Sequence, residues 1–270
     1  MSMGPQGGLS QEIDISVPHS ARIWNYWLGG KDNYEIDRAV GARVAEIFPF
    51  QPMVARISRD FQRRAVRYLA GEAGIRQFLD IGSGLPTVEN THMTAQAVAP
   101  ECRVVYVDND PMVLAHARAL LSSSAEGECH YLDADLNAPG PIIDRARELL
   151  DLDRPIALML MGITGHIDPY ERAREIVGTV LDALPSGSFL VHADGDDSDE
   201  RAVEALRQYA QTGAVAHHLR SIEQLKGFFD GLEPVEPGIV PPHRWRPDAP
   251  VQAEHDTVPS IGVAGVARKP

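Results

Sequence analysis

Three acids stand where an α/β chain does its chemistry most easily. Asp80 lies inside the end of the run RQFLDI, two residues before Gly82-Ser83-Gly84; Asp108 closes RVVYVD; Asp135 lies in DADL, after CHYLD. If the runs are parallel strands, all three acids meet at one sheet edge, where such sheets bind ligands. Glycines at 82 and 84 let backbone approach a ligand and tolerate the positive φ of a tight turn. A strand-end acid such as Asp108 accepts hydrogen bonds from the two hydroxyls of a ribose. Each acid also has a plainer reading, since Asp80, Asp108 or Asp110 can cap the helix that follows. Four features in order, at three successive strand ends, favour a nucleoside site.

Two nucleoside classes fit the glycines and Asp108 equally. A dinucleotide, however, brings pyrophosphate to the helix N-terminus and wants a third glycine. Here Leu85, Pro86 and Thr87 fill that space, and the Asp80 carboxylate would oppose the pyrophosphate. S-adenosylmethionine carries a cationic α-amino group and a sulfonium, which suit an acidic strand end. Pro86 is expected in the first turn of the next helix, where its missing N–H costs nothing. Asp135 is placed to accept from the adenine amino group, and Leu136 to offer its backbone N–H. The expected cofactor residues are therefore Asp80, Gly82, Ser83, Gly84, Asp108, Asn109, Asp135 and Leu136, with Asn109 and Asp110 competing beside the base. An NAD(P)-dependent oxidoreductase is a weaker reading.

The elements that must position these residues follow from periodicity. Strands are expected at 76–81, 103–108, 129–133, 155–161 and 187–193, with helices near 87–98, 111–122, 141–150, 168–184 and 198–211. Short apolar strands alternating with helices predict a parallel sheet covered on both faces. A further helix near 221–230, the segment EPVEPGIV, a polar Pro-rich loop at 241–258 and the strand IGVAGVAR follow, and two late strands with a short return would form an antiparallel hairpin at the sheet edge. Upstream, residues 17–72 read as three helices. ARIWNYWLGG ends at a glycine pair, a second helix starts near Asp32 or Asn33, and a third carries Val54, Ile57, Phe61, Ala65, Tyr68 and Leu69 on one stripe with arginines opposite. The domains read as a flexible tail over 1–16, a helical cap over 17–74 and a ligand-binding domain over 75–270.

Composition sets the outer limits. The 270 residues are 44% hydrophobic and 23% charged, ordinary for a globular protein. A net charge of −13 repels phosphate backbones, so nucleic acid is not an expected partner. No apolar run approaches the roughly 20 residues that span a bilayer, and the opening MSMGPQGGLSQEIDIS lacks a secretory pattern. A cytoplasmic protein with no membrane partner is expected. Cys102 and Cys129 read as plain buried thiols, and only Lys31, Lys226 and Lys269 are lysines, a high-GC composition.

FLDIGSG, VVYVDNDP and DADL resemble the first three motifs of class I S-adenosylmethionine-dependent methyltransferases, and ALPSGSFLVHAD resembles their fifth unit. PHSARIWNYWLGGKDNYEIDR, with GIRQFLDIGSGLPTVENTH and RVVYVDNDPMVLAHARALL, closely resembles the actinobacterial S-adenosyl methyltransferase family, formerly a domain of unknown function. This resemblance runs over nearly the whole chain and makes SGLPT a family trait. It implies a Rossmann-like, seven-stranded, mostly parallel sheet with an antiparallel edge hairpin, helices on both faces and a helical N-terminal cap. It implies methyl transfer from S-adenosylmethionine, with S-adenosylhomocysteine as product, to an unidentified small-molecule acceptor. A non-catalytic sensor or partner protein that kept the cofactor site is the alternative. Where many relatives read Leu-His-Phe after the fourth strand, this chain reads GITGHID, which blurs the substrate-facing position.

Methyl transfer mainly needs alignment, and a base only if the acceptor must lose a proton. Arg22 is a candidate partner for the cofactor carboxylate. Tyr26 and Tyr34 are candidates to line the acceptor pocket, against the plainer reading that Tyr26, Trp24 and Trp27 glue the cap to the core. His166 and His192, at the ends of the fourth and fifth strands, are weak catalytic candidates. His92 is read as structural, and His217-His218 as no metal site. DGDDSDE at 194–200 is read as a solvated helix N-terminus.

Overall fold

The computed structural model describes residues 14–86, 89–120, 123–259 and 261–270, with side chains 116–120 left aside. Most of the expected tail, residues 1–13, and Thr87 of SGLPT lie outside the described residues.

Among the described residues seven strands form one sheet. They are β1 (Gln77–Ile81), β2 (Arg103–Asp108), β3 (Glu128–Asp133), β4 (Ala157–Met161), β5 (Phe189–Asp194), β6 (Glu233–Pro234) and β7 (Val263–Arg268), in the order β3-β2-β1-β4-β5-β7-β6. β1 pairs in parallel with both β2 and β4, so the winding direction reverses there. Such a reversal opens a crevice at the carboxyl ends of the strands, where ligands bind in doubly wound sheets. β7 runs antiparallel between β5 and β6. The expected edge pair is present, but its return is long. Residues 235–262 separate the two strands, because this segment folds back to bury Trp245 edge-on against Phe61 and Tyr68.

Among the described residues nine α-helices accompany the sheet: α1 (Ser20–Trp27), α2 (Glu35–Ile47), α3 (Gln51–Gly71), α4 (Thr91–Val98), α5 (Pro111–Leu120), α6 (Pro139–Leu149), α7 (Tyr170–Asp182), α8 (Glu200–Ala210) and α9 (Ile222–Gly227). Strand alternation divides the core. Leu79, Ile81, Val105, Leu158 and Leu190 face one layer, with Ile142 of α6, Ile176 and Val180 of α7 and Leu225 of α9. Phe78, Val104, Met159 and Val191 face the other, with Phe61, Ala65 and Leu69 of α3 and Ala95 of α4. Because 78 and 80 share a face, the Asp80 side chain is driven beneath α3 and α4. A third apolar cluster joins Ile23 and Trp27 of α1 and Val44 of α2 to Ala205 and Tyr209 of α8.

Three local expectations are corrected. Pro86 does not start a helix: α4 begins at Thr91, and Glu89 at φ 65° sits in the left-handed region through which a right-handed helix cannot run. The arginines of α3 do not all face outward, since Arg64 is buried and donates to the carbonyls of Trp245 (2.9 Å) and Pro242 (2.7 Å). The acidic run at 194–200 is not simply solvated. Asp194 ends β5 and is buried, Asp196 is buried and accepts from Gly262 N at 2.8 Å, and only Asp199 serves as the N-cap of α8.

Candidate functional site

The carboxyl ends of β1, β2, β3 and β4 open into one cleft, roofed by α1 and α3. Of the nine expected cofactor residues, eight line it: Asp80, Gly82, Ser83, Gly84, Asp108, Asn109, Asp135 and Leu136; Arg22 does not. Gly82 takes φ 74° and donates its N–H to Val107 O at 2.8 Å. A Cβ on it would lie 2.7 Å from Ile163, so the turn has no room for a side chain. Gly84, also at positive φ, donates its N–H to Asp108 at 2.8 Å, which ties the loop to the next strand.

Asp80 is the floor of the cleft and is 1% exposed. Its Oδ2 accepts from Thr91 Oγ1 (2.6 Å) and from Gln62 Nε2 (3.3 Å), whereas Oδ1 is buried without a protein donor. Burial pushes this carboxyl up to about 6, against the opposing pull of the Thr91 hydrogen bond and the Arg59 guanidinium. A buried carboxylate with an unfilled oxygen is a receptor for a donor, best a cationic one. Arg59, on α3, lines the same cleft and reaches Gln62 Oε1 (2.9 Å) and Ser83 O (3.4 Å). Asp80 and Arg59 thus offer one charge of each sign to a zwitterionic end group.

Asp108 is buried and accepts from Asp110 N at 3.0 Å as well as from Gly84 N. Burial raises its carboxyl, and those two amides oppose the rise. Asn109 faces the cleft, while Asp110 turns away and accepts from Met112 N at 2.8 Å, at the start of α5. The two residues therefore divide the roles for which they competed. At the far wall, Asp135 is exposed, accepts from Asn137 N at 2.9 Å and stands beside buried Leu136.

Arg22, Tyr26 and Tyr34 are not among the residues that line the cleft. The Arg22 Nε lies 3.3 Å from buried Asp37, and its other nitrogens donate to the carbonyls of Asp14 and Val17. Asp37 also accepts from the N–H groups of His19 (3.0 Å) and Tyr34 (2.9 Å), so Arg22 completes a knot between the first turns of α1 and α2. Tyr26 packs on Gly41 of α2, and Tyr34 lies against the Arg22 guanidinium. The cleft is instead met by Ala21, Trp24, Asn25 and Leu28, one helix face at spacings of three and four. That periodicity was available in the sequence, though not which face would turn inward.

A second hollow adjoins the first. They share Ser20, Trp24, Ser58, Gly162 and His166, and the second is walled mainly by apolar side chains of α1, α2 and α8. His192 does not reach it: the ring is 0% exposed and its Nε2 meets Thr164 Oγ1 at 2.9 Å. Burial drives His192 down to about 4, so it stays neutral. His166 lines both hollows, and its Nδ1 meets Ala216 O at 2.9 Å. Burial, with His217 beside it, takes His166 down to about 4 as well. His217 also lines the second hollow, with Nε2 3.1 Å from Asp194. Burial works to raise Asp194, but His217, His192 and Thr164 together hold it far below the usual carboxylate range. Neither Asp194 nor His217 had a motif to mark it as a pair.

His92 bonds to the Tyr106 hydroxyl and is part of the packing under α4. Among the described residues no helix is long and apolar enough to cross a membrane.

Comparison with known proteins places the chain in a family. A family model described as S-adenosyl methyltransferase matches residues 6–270. A solved DUF574-family protein from Streptomyces avermitilis is 44% identical, with a TM-score of 0.89 over 96% of this chain and 100% of that one. A solved protein from Thermobifida fusca is 40% identical, with a TM-score of 0.87 over 99% of each chain. No curated protein matches. The chain belongs to the S-adenosyl methyltransferase family, and its fold is that of the class I S-adenosylmethionine-dependent methyltransferases.

Proposed function

We propose that this methyltransferase acts on a small-molecule acceptor held in the second hollow, with S-adenosylmethionine in the acid-floored cleft. The observation that carries the reading is the unfilled Oδ1 of buried Asp80 beside the glycine turn. A cationic α-amino group supplies the donor this oxygen lacks, and Arg59 supplies the counter-charge for an adjoining carboxylate. Asp108 receives the ribose hydroxyls, and Asp135 with Leu136 the adenine edge. The cofactor supplies an activated methyl group on a positive sulfur. The protein's part is to hold that methyl in line with the acceptor, an alignment worth up to roughly 7–11 kcal/mol. Gly162 and His166, common to both hollows, mark the passage through which the two ligands meet. An open hollow beside the passage supports catalysis over a purely sensory role.

Isothermal calorimetry tests this reading. S-adenosylhomocysteine is expected to bind and NAD to give no heat. Binding of NAD without S-adenosylhomocysteine would overturn it.

A further inference from the structure

The second hollow carries more chemistry than alignment needs. Asp194 is met by four donors: His217 Nε2 (3.1 Å) and Gly195 N (2.9 Å) on one oxygen, Thr164 Oγ1 (2.8 Å) and Gly165 N (3.0 Å) on the other. With Nε2–H given to Asp194, the lone pair of His217 is on Nδ1. That nitrogen is buried and has no protein donor. Gly165 makes the arrangement possible, since a Cβ there would lie 2.4 Å from the His217 ring, and its carbonyl accepts from His218 N at 2.8 Å. The GITGHID segment is thus built around this imidazole: Thr164 and Gly165 fix the carboxylate, Gly165 clears the ring's place, and His166 stacks edge-on with it at 4.9 Å.

The walls restrict what this imidazole can meet. No arginine or lysine among the described residues lines the hollow, so an anionic acceptor finds no counter-charge. Asp194 is its only acid among the described residues, and four donors already occupy it, so an ammonium finds no free carboxylate. Trp24, Trp27 and Phe48 offer flat apolar surface. We infer that His217, held by Asp194, is the general base for an aromatic hydroxyl acceptor, making this chain a phenol-type O-methyltransferase. The inference rests on the cofactor lying in the acid-floored cleft. The hydroxyl proton passes to His217 Nδ1 as an oxygen lone pair forms the new O–C bond to the methyl group. The C–S electron pair returns to sulfur, whose positive charge is cancelled, and the imidazolium releases its proton to water after the methyl ether leaves. A buried, ionised Asp194 stabilises that imidazolium. Burial, with His217 beside it, takes His166 down to about 4, so that ring stays neutral.

The test uses 4-nitrophenol as probe, with the full chain saturated by S-adenosylhomocysteine so that no turnover occurs. Binding of S-adenosylhomocysteine is first measured by calorimetry on each variant, so a failed cofactor site is distinguished from a failed base. Wild type is expected to bind the phenol and show the phenolate absorbance band at a pH below that at which the free phenol ionises. His217→Gln is expected to lower the bound phenolate fraction at least tenfold with S-adenosylhomocysteine binding retained. A wild-type complex that binds no phenol, or an H217Q complex that ionises it equally, overturns the inference. Should H217Q not fold, 15N chemical shifts of the wild-type imidazole decide: a lone pair on Nδ1 of His217 supports the role, and a proton there overturns it.

Discussion

Asp80 sets burial against charge, and the sign of its effect is fixed. Its carboxyl titrates near 6 in the folded chain, above the ordinary value of 3.8, so the native state binds its proton more tightly than the unfolded one. The group therefore costs stability as pH rises from about 4 through 6, on the order of 3 kcal/mol for a shift of about two units. A cationic ligand prefers the ionised form and recovers part of that cost. Affinity for S-adenosylhomocysteine is expected to fall about tenfold per pH unit below 6, and calorimetry at pH 5, 6 and 7 checks it. Asp80→Asn removes the charge: affinity at pH 7 is expected to drop roughly 10- to 100-fold, about 1.5–3 kcal/mol, and to lose most of its pH dependence. Asp80 was legible because it lies inside the end of an apolar run, two residues before the first glycine. Arg59 was not, because it belongs to a helix twenty residues upstream and only packing of α3 on the sheet brings it there.

Elements that announce themselves by apolar run length were read correctly, and those set by long-range packing were not. All five parallel strands lie within two residues of their expected bounds; β1, β2, β4 and β5 are short apolar runs buried on both faces, and β3 is a half-buried edge strand. The inward face of α1, the buried Arg64 of α3 and the long return before β7 depend on partners distant in sequence. Arg64 pins that return by two hydrogen bonds from α3. Arg64→Ala is expected to destabilise the fold by about 2–4 kcal/mol, measured by urea unfolding, because two buried carbonyls lose a charged donor. At the glycine turn, Gly82→Ala forces a side chain to φ 74° against Ile163. It is expected to cost about 1–3 kcal/mol in stability and to abolish calorimetric binding of S-adenosylhomocysteine at concentrations that saturate wild type.

At the scale of the whole molecule, the cleft joins the strand ends of β1 to β4 with α1 and α3, so a ligand there bridges the sheet and the N-terminal helices. Binding to the native state alone stabilises by about 2.7 kcal/mol at a hundredfold excess over Kd. For a chain of this size that raises Tm by roughly 5–10 °C, and a scan with and without S-adenosylhomocysteine checks it, with D80N shifting less. A crystal structure of the complex with S-adenosylhomocysteine tests the central claim most directly. The expected result places the α-amino nitrogen within hydrogen-bonding distance of Asp80 Oδ1 and the sulfur at the Gly162–His166 passage. An amino group directed elsewhere, or a ligand bound outside this cleft, would contradict it.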